Sequence, residues 1–138
     1  MAYRYTEVSP EKSQGQIKRI LIAHGASNIQ FGSSFEPLRI EGFQASVTIE
    51  AKPYGIRIAV PVAEQKTESR QDQEVRRVWR VLYHHVKAIF EAADSGVIDI
   101  RELLLPYFVT KSGKTIGKQI IEDLPLALES PKKTLFVN

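Results

Sequence analysis

The stretch Gln71-Asp-Gln-Glu-Val-Arg-Arg-Val-Trp-Arg-Val-Leu-Tyr-His-His-Val-Lys-Ala-Ile-Phe-Glu-Ala-Ala-Asp94 decides the fold. Within it Val75, Val78, Trp79, Leu82, Val86, Ile89, Phe90 and Ala93 recur three, four and seven positions apart. At 100° per residue they fill an arc of about 120°, which predicts an amphipathic helix over about 71–94 with one side packed on another layer. Val81, Ala88 and Ala92 widen that side, so the helix can meet both a sheet and another helix. Arg76, Arg80, His84 and Lys87 fall within about 80° of one another and predict a basic stripe on the opposite side. Asp72 and Glu74 suit the positive end of the helix dipole, and Ser95-Gly96 supplies the stop.

Upstream the apolar period changes to two. Phe43, Ala45, Val47 and Ile49 alternate with polar residues, as do Ile56, Ile58, Val60 and Val62 with Arg57, Ala59 and Pro61. Lys52-Pro53-Tyr54-Gly55 reads as the turn between them, so an antiparallel hairpin is predicted over about 43–62. Clean alternation implies one wet and one buried face, and the long helix covers the buried one. A shorter strand at about 29–35 or 38–40 precedes the hairpin.

Ser9-Pro10 opens like a capped helix that carries Ile17, Ile20, Leu21 and His24 and stops at Gly25. Downstream, Asp99 with Glu102 frames a short helix around Ile100, Leu103 and Leu104, ended by Pro106. Val109 to Ile116 reads as a tight turn between two extended pieces, and a last short helix runs from about 117 to 124 before Pro125. The tail 130–138 either hangs loose or docks through Leu135, Phe136 and Val137. The expectation is a single α+β domain over 1–138: a small antiparallel sheet covered by the long helix, with an N-terminal helix and short C-terminal helices.

The 138 residues are enough for one core, and 43% hydrophobic with 25% charged residues is ordinary for a folded soluble chain. Without cysteine there is no disulfide framework, thiolate metal site or thiol nucleophile. No apolar run approaches the roughly 20 residues of a spanning helix, and the first residues lack the apolar centre of a secretory signal. No membrane association and a cytoplasmic location are therefore expected. The net charge is +3, and residues 66–90 concentrate it, with six Lys/Arg against three acids. That balance suits an anionic partner.

Several chemistries fail on spacing. Lys111-Ser-Gly-Lys-Thr115 ends like a phosphate-binding loop, but Phe108 stands where the pattern needs its first glycine, so a surface turn is the reading. Adjacent His84 and His85 point about 100° apart and cannot share one ion, and His24 suits the end of the first helix, beside its dipole. No Gly-x-Ser-x-Gly elbow occurs. Glu91, Asp94, Asp99 and Glu102 form an acidic cluster that capping and solvation explain. No catalytic residue, metal ligand or cofactor is assigned, and a non-enzymatic role is expected.

The basic stripe is the candidate site. Arg70, Arg76, Arg77, Arg80, His84 and Lys87 can align with phosphates along a nucleic acid and release counterions, while Tyr83 at the edge can stack on a base. The ordinary role of the same groups is a solvated helix face, with Arg76 and Arg80 tied to Asp72, Gln73 or distant acids.

Arg76-Arg77-Val78-Trp79-Arg80-Val81-Leu82, Val86-Lys87-Ala88, Glu91-Ala92, Ser95-Gly96-Val97, Leu103-Leu104-Leu105 and Ser112-Gly113-Lys114-Thr115-Ile116-Gly117 resemble a group of small uncharacterised proteins encoded in phage and prophage genomes. Glu11-Lys12-Ser13 with Ile17, Leu21 and His24-Gly25-Ala26 resembles the start of the same group. The resemblance implies a product acting in the cytoplasm of an infected bacterium and brings no activity to carry over. Taken together, the expectation is an accessory protein that binds nucleic acid, or a complex containing it, through the basic helix face. The alternative is an inhibitor or adaptor of the anti-defence type that binds an acidic surface on a host protein. A homo-oligomer is compatible with either.

Overall fold

The computed structural model describes residues 1–121, 123 and 124. Helix α1 spans Pro10–Ala23, with Pro10 in the first turn and the Ser9 hydroxyl accepting from the Lys12 N–H at 3.1 Å. It ends as the sequence predicts. Gly25 adopts φ 80°, its N–H donates to the Ile22 carbonyl, and the Ala26 N–H donates to the Leu21 carbonyl, which together satisfy the last turn.

Three strands follow in sequence order as one antiparallel sheet: β1 (Ser27–Ser34), β2 (Ile40–Ile49) and β3 (Lys52–Pro61). The hairpin turn differs from the predicted one. It is the pair Glu50-Ala51, both with positive φ (52° and 65°), the two-residue geometry that matches strand twist. Lys52, Pro53, Tyr54 and Gly55 lie inside β3 instead. Closing after Ile49 pairs all ten residues of each strand, from Ile40 opposite Pro61 to Ile49 opposite Lys52. A turn at 52–55 would forfeit that ladder. Pro53 is tolerated because β3 is an edge strand there and its missing N–H deprives no partner. Apolar parity survives the change: Phe43 lies opposite Ile58 and Ala45 opposite Ile56.

The long helix α2 spans Glu68–Asp94, three residues longer at its start than the apolar pattern indicates. Thr67 caps it, its hydroxyl accepting from the Arg70 N–H at 3.1 Å. The first turn is wholly polar, so apolar periodicity was blind to it. Val75, Val78, Trp79, Leu82, Val86, Ile89 and Phe90 pack on Phe43, Ala45, Val47, Ile56 and Ile58 of the sheet, together with Ile17 and Leu21 of α1 and with Leu104. Trp79 is 1% exposed and its indole N–H donates to the buried carboxylate of Glu41 at 3.3 Å. Helices α1 and α2 run parallel on the same side of the sheet. The Thr6 carbonyl meets Gln73, Gln16 meets Arg80 and His24 meets Asp94, in matching order along both segments.

Beyond α2, Asp99 caps α3 (Ile100–Leu104), accepting from the Arg101 N–H rather than completing a box with Glu102. A 3₁₀ turn, Leu105–Tyr107, absorbs Pro106, and Val109 pairs with Gly55 of β3 through a 2.8 Å hydrogen bond. Val109 and Thr115 bridge a tight turn over 110–114, and α4 spans Ile116–Ile121. The tail 130–138 lies outside the described residues. Among the described residues no helix is long and apolar enough to cross a membrane.

Candidate functional site

The outward side of α2 is not the open stripe that periodicity predicts. Arg80 is 7% exposed, because α1 lies beside it: one guanidinium N–H donates to Gln16 at 2.8 Å, and the group stacks 4.1 Å from the centre of the Tyr83 ring. Tyr83 is thus the floor beneath Arg80 rather than a free platform. An N-terminal turn over residues 2–5 forms the other wall. The Tyr3 ring stacks on His84 at 4.7 Å with 2° between planes, and the Gln73 amide donates to the carbonyls of Arg4 and Thr6. Arg76, Arg80 and Lys87 therefore form a row in the seam between this turn and α1.

The seven predicted residues divide. Arg77 leaves the row, bound in a two-pronged pair to Glu74 with its shortest bond at 2.6 Å, and that pairing holds the guanidinium proton more tightly than usual. Arg70 is exposed in the first turn, about 80° around the helix from Arg80. Lys87 is half exposed, 3.8 Å from Glu91. Arg76 donates to Gln73 at 2.7 Å, a pairing the sequence spacing had indicated. His84 joins the row through Tyr3, whereas His85 turns away to the Tyr107 hydroxyl at 2.7 Å.

The electrostatics of the row follow from those partners. Arg76 and Arg80 are held by neutral amides, and among the described residues neither is ion-paired. Their hydrogen bonds fix geometry and leave the charge in place. The His84 pKa reports the result: burial lowers it below the usual imidazole range, and the charges of Arg80 and Lys87 lower it further.

Helix α1 adds cations that the sequence reading did not assign. Lys12 and Arg19 are exposed and lie within about 60° of Gln16 around the helix, so the Gln16–Arg80 bond places them on the seam side. Their sevenfold spacing was visible in the sequence; that α1 lies parallel beside α2 was not.

The far end of the seam is different. His24 Nδ1 lies 2.7 Å from the Ile20 carbonyl and Nε2 lies 2.9 Å from Asp94. Neither partner can donate a proton when Asp94 is ionised, so the geometry favours the imidazole with both ring nitrogens protonated. Burial alone would lower its pKa; the Ile20 carbonyl and Asp94 outweigh burial and raise it. The predicted acidic cluster is likewise answered locally. Glu91 faces Lys87, Asp94 faces His24, and Arg101 holds Asp99 down to about 2. Among the described residues no three metal-ligating side chains gather.

A second cationic feature lies on the other side of the molecule. Arg57, Lys114 and Lys118 line a groove of about 420 Å³ between α4 and the sheet face turned away from α2, with Ile40, Ala59, Pro106 and Ile121 as its apolar surface and no carboxylate among the described lining residues. Arg57 fixes one wall by donating to the Gly113 carbonyl at 2.8 Å. Lys111–Thr115 is the turn of that wall, as its failed phosphate-loop spacing implied.

Comparison with protein-family models, curated proteins and solved structures finds no match to this chain.

Proposed function

We propose that the protein is a non-enzymatic module that binds nucleic acid along the seam between α1 and α2. The observation that carries this reading is that Arg76 and Arg80 are positioned by the neutral amides of Gln73 and Gln16, so that their charge is ordered and, among the described residues, uncancelled. Lys12, Arg19 and Lys87 extend the field along both helices. Such a row releases counterions from a phosphate backbone, and its affinity falls linearly with log salt. In the phage or prophage setting that the sequence resembles, the partner is host or phage nucleic acid, or a complex containing it. Fluorescence anisotropy of a labelled oligonucleotide across a salt series tests the proposal. The double variant Arg76→Ala with Arg80→Ala should flatten the log–log slope by about two. No binding by the wild-type protein at low salt would overturn it.

A second reading is favoured by the Arg57, Lys114 and Lys118 groove: an adaptor or inhibitor that receives an acidic, partly apolar segment of a host protein. Under that reading Lys114→Glu with Lys118→Glu abolishes stoichiometric binding to that host protein, and the Arg76/Arg80 variant binds it normally.

A further inference from the structure

The N-terminal turn bears on which form of nucleic acid the seam accepts. Tyr3 lies parallel to the His84 ring with one face spent on the imidazole, and the residue is still 40% exposed. It is a half-built stack that one more flat ring would extend. Its backbone φ of 61° is uncommon for a bulky residue and is the conformation that lays the ring on α2. Two residues on, Tyr5 is 80% exposed, with the Arg4 guanidinium 5.3 Å from its ring centre and the flanking Arg4 and Thr6 carbonyls both bonded to Gln73. The Tyr3 ring therefore stands on His84 at the edge of the cationic row, and the backbone on either side of Tyr5 is held to α2 by Gln73.

Recess and aromatics together select the ligand. Arg80 is recessed between α1 and the N-terminal turn, so a thin, flexible strand settles closer to its charge than the broad surface of a stiff duplex does. In a duplex the bases are stacked on one another and unavailable to Tyr3 and Tyr5; in a single strand they are free, and a groove of cations edged by aromatic rings is how single strands are held without sequence preference.

We infer that the seam takes a single-stranded nucleic acid, its phosphates along Arg76, Arg80 and Lys87 and its bases stacked on Tyr3 and Tyr5. This rests on the nucleic-acid reading above, and the test separates the two. Anisotropy is measured at low salt with labelled dT12, rU12 and a 12-base-pair DNA duplex. The expected result is at least tenfold tighter binding of one or both single strands than of the duplex. Tyr3→Ala and Tyr5→Ala should each weaken single-strand binding about five- to a hundredfold while leaving duplex binding unchanged. Tyr5→Phe, which keeps the ring, should restore it. Both tyrosines are largely outside the core, and thermal melting of each variant checks that the fold is intact. Equal affinity for duplex and single strand, or tyrosine variants that bind like wild type while the Arg76/Arg80 variant still loses its salt slope, would overturn this inference and leave the charge reading standing. Absence of binding to all three probes would overturn both.

Discussion

Helix α2 meets its neighbours in two chemically opposite ways. Toward the sheet it is dry: Val78, Leu82, Val86 and Ile89 are buried, and Trp79 spends its single donor on Glu41. Toward the outer side of α1 it is polar: Gln16 holds Arg80, Gln73 holds Arg76 and the N-terminal turn, and Asp94 holds His24. The dry contact is non-directional and scales with area, so it determines where the helix lies. The polar contact contributes little net energy per hydrogen bond, but it is directional and determines where charges stand. A helix anchored on one side is free to carry unneutralised cations on the other.

The comparison breaks most severely at Trp79. Trp79→Ala removes the largest buried side chain and strips the Glu41 carboxylate of its indole donor, so a loss of about 3–5 kcal/mol or more is expected, a large share of the stability of a domain this size. Denaturant unfolding measures it; wild-type stability would mean the dry flank is not what holds the helix. Next is Gly42, the third residue of β2. A Cβ there would run into the Ile58 carbonyl oxygen and lie 2.6 Å from the Ala59 Cα. Those are backbone atoms that cannot step aside, and Gly42→Ala should cost about 1–3 kcal/mol in the same assay.

On the polar side the expected effects are smaller and depend on solution conditions. The folded pKa of His24 is raised above its unfolded value, so its contribution is fully present below the unfolded pKa of about 6.5 and is lost as pH rises through the folded value. Thermal melting should therefore weaken across that window, and His24→Gln should be flatter there; a pH dependence unchanged by the substitution would count against a charged His24. Smallest of all is the field at His84. Arg80→Gln removes one of the charges that depress its pKa, so NMR titration should place His84 higher in the variant than in wild type. No movement would mean that Arg80 is not felt at the row.

Much of the architecture was legible because it rests on periodicity. The 3.6-residue spacing of Val75 through Ala93 and the alternation through Phe43–Ile49 and Ile56–Val62 are local records of which side is buried, and Ser9, Gly25 and Asp99 mark helix ends by their own chemistry. The tight turn at Glu50-Ala51 escaped because neither residue is a usual carrier of positive φ, whereas Pro53 and Gly55 nearby are familiar turn residues. The start of α2 escaped because its first turn has no apolar residue to count.

The candidate site was legible only as a set of residues on one helix. That Arg76, Arg80, His84 and Lys87 share a side follows from 100° per residue and needs no neighbours. Which of them keeps its charge depends on what lies opposite, and that is a matter of chain segments about 60 to 80 positions apart: Gln16 beside Arg80, Tyr3 over His84, His24 against Asp94. Helical and strand periods are written residue by residue, since each side chain's direction is set by its own backbone. The pairing of α1 with α2, and with it the depth, neutrality and company of every cation in the seam, arises only when the apolar sides of both helices come to rest on the same sheet.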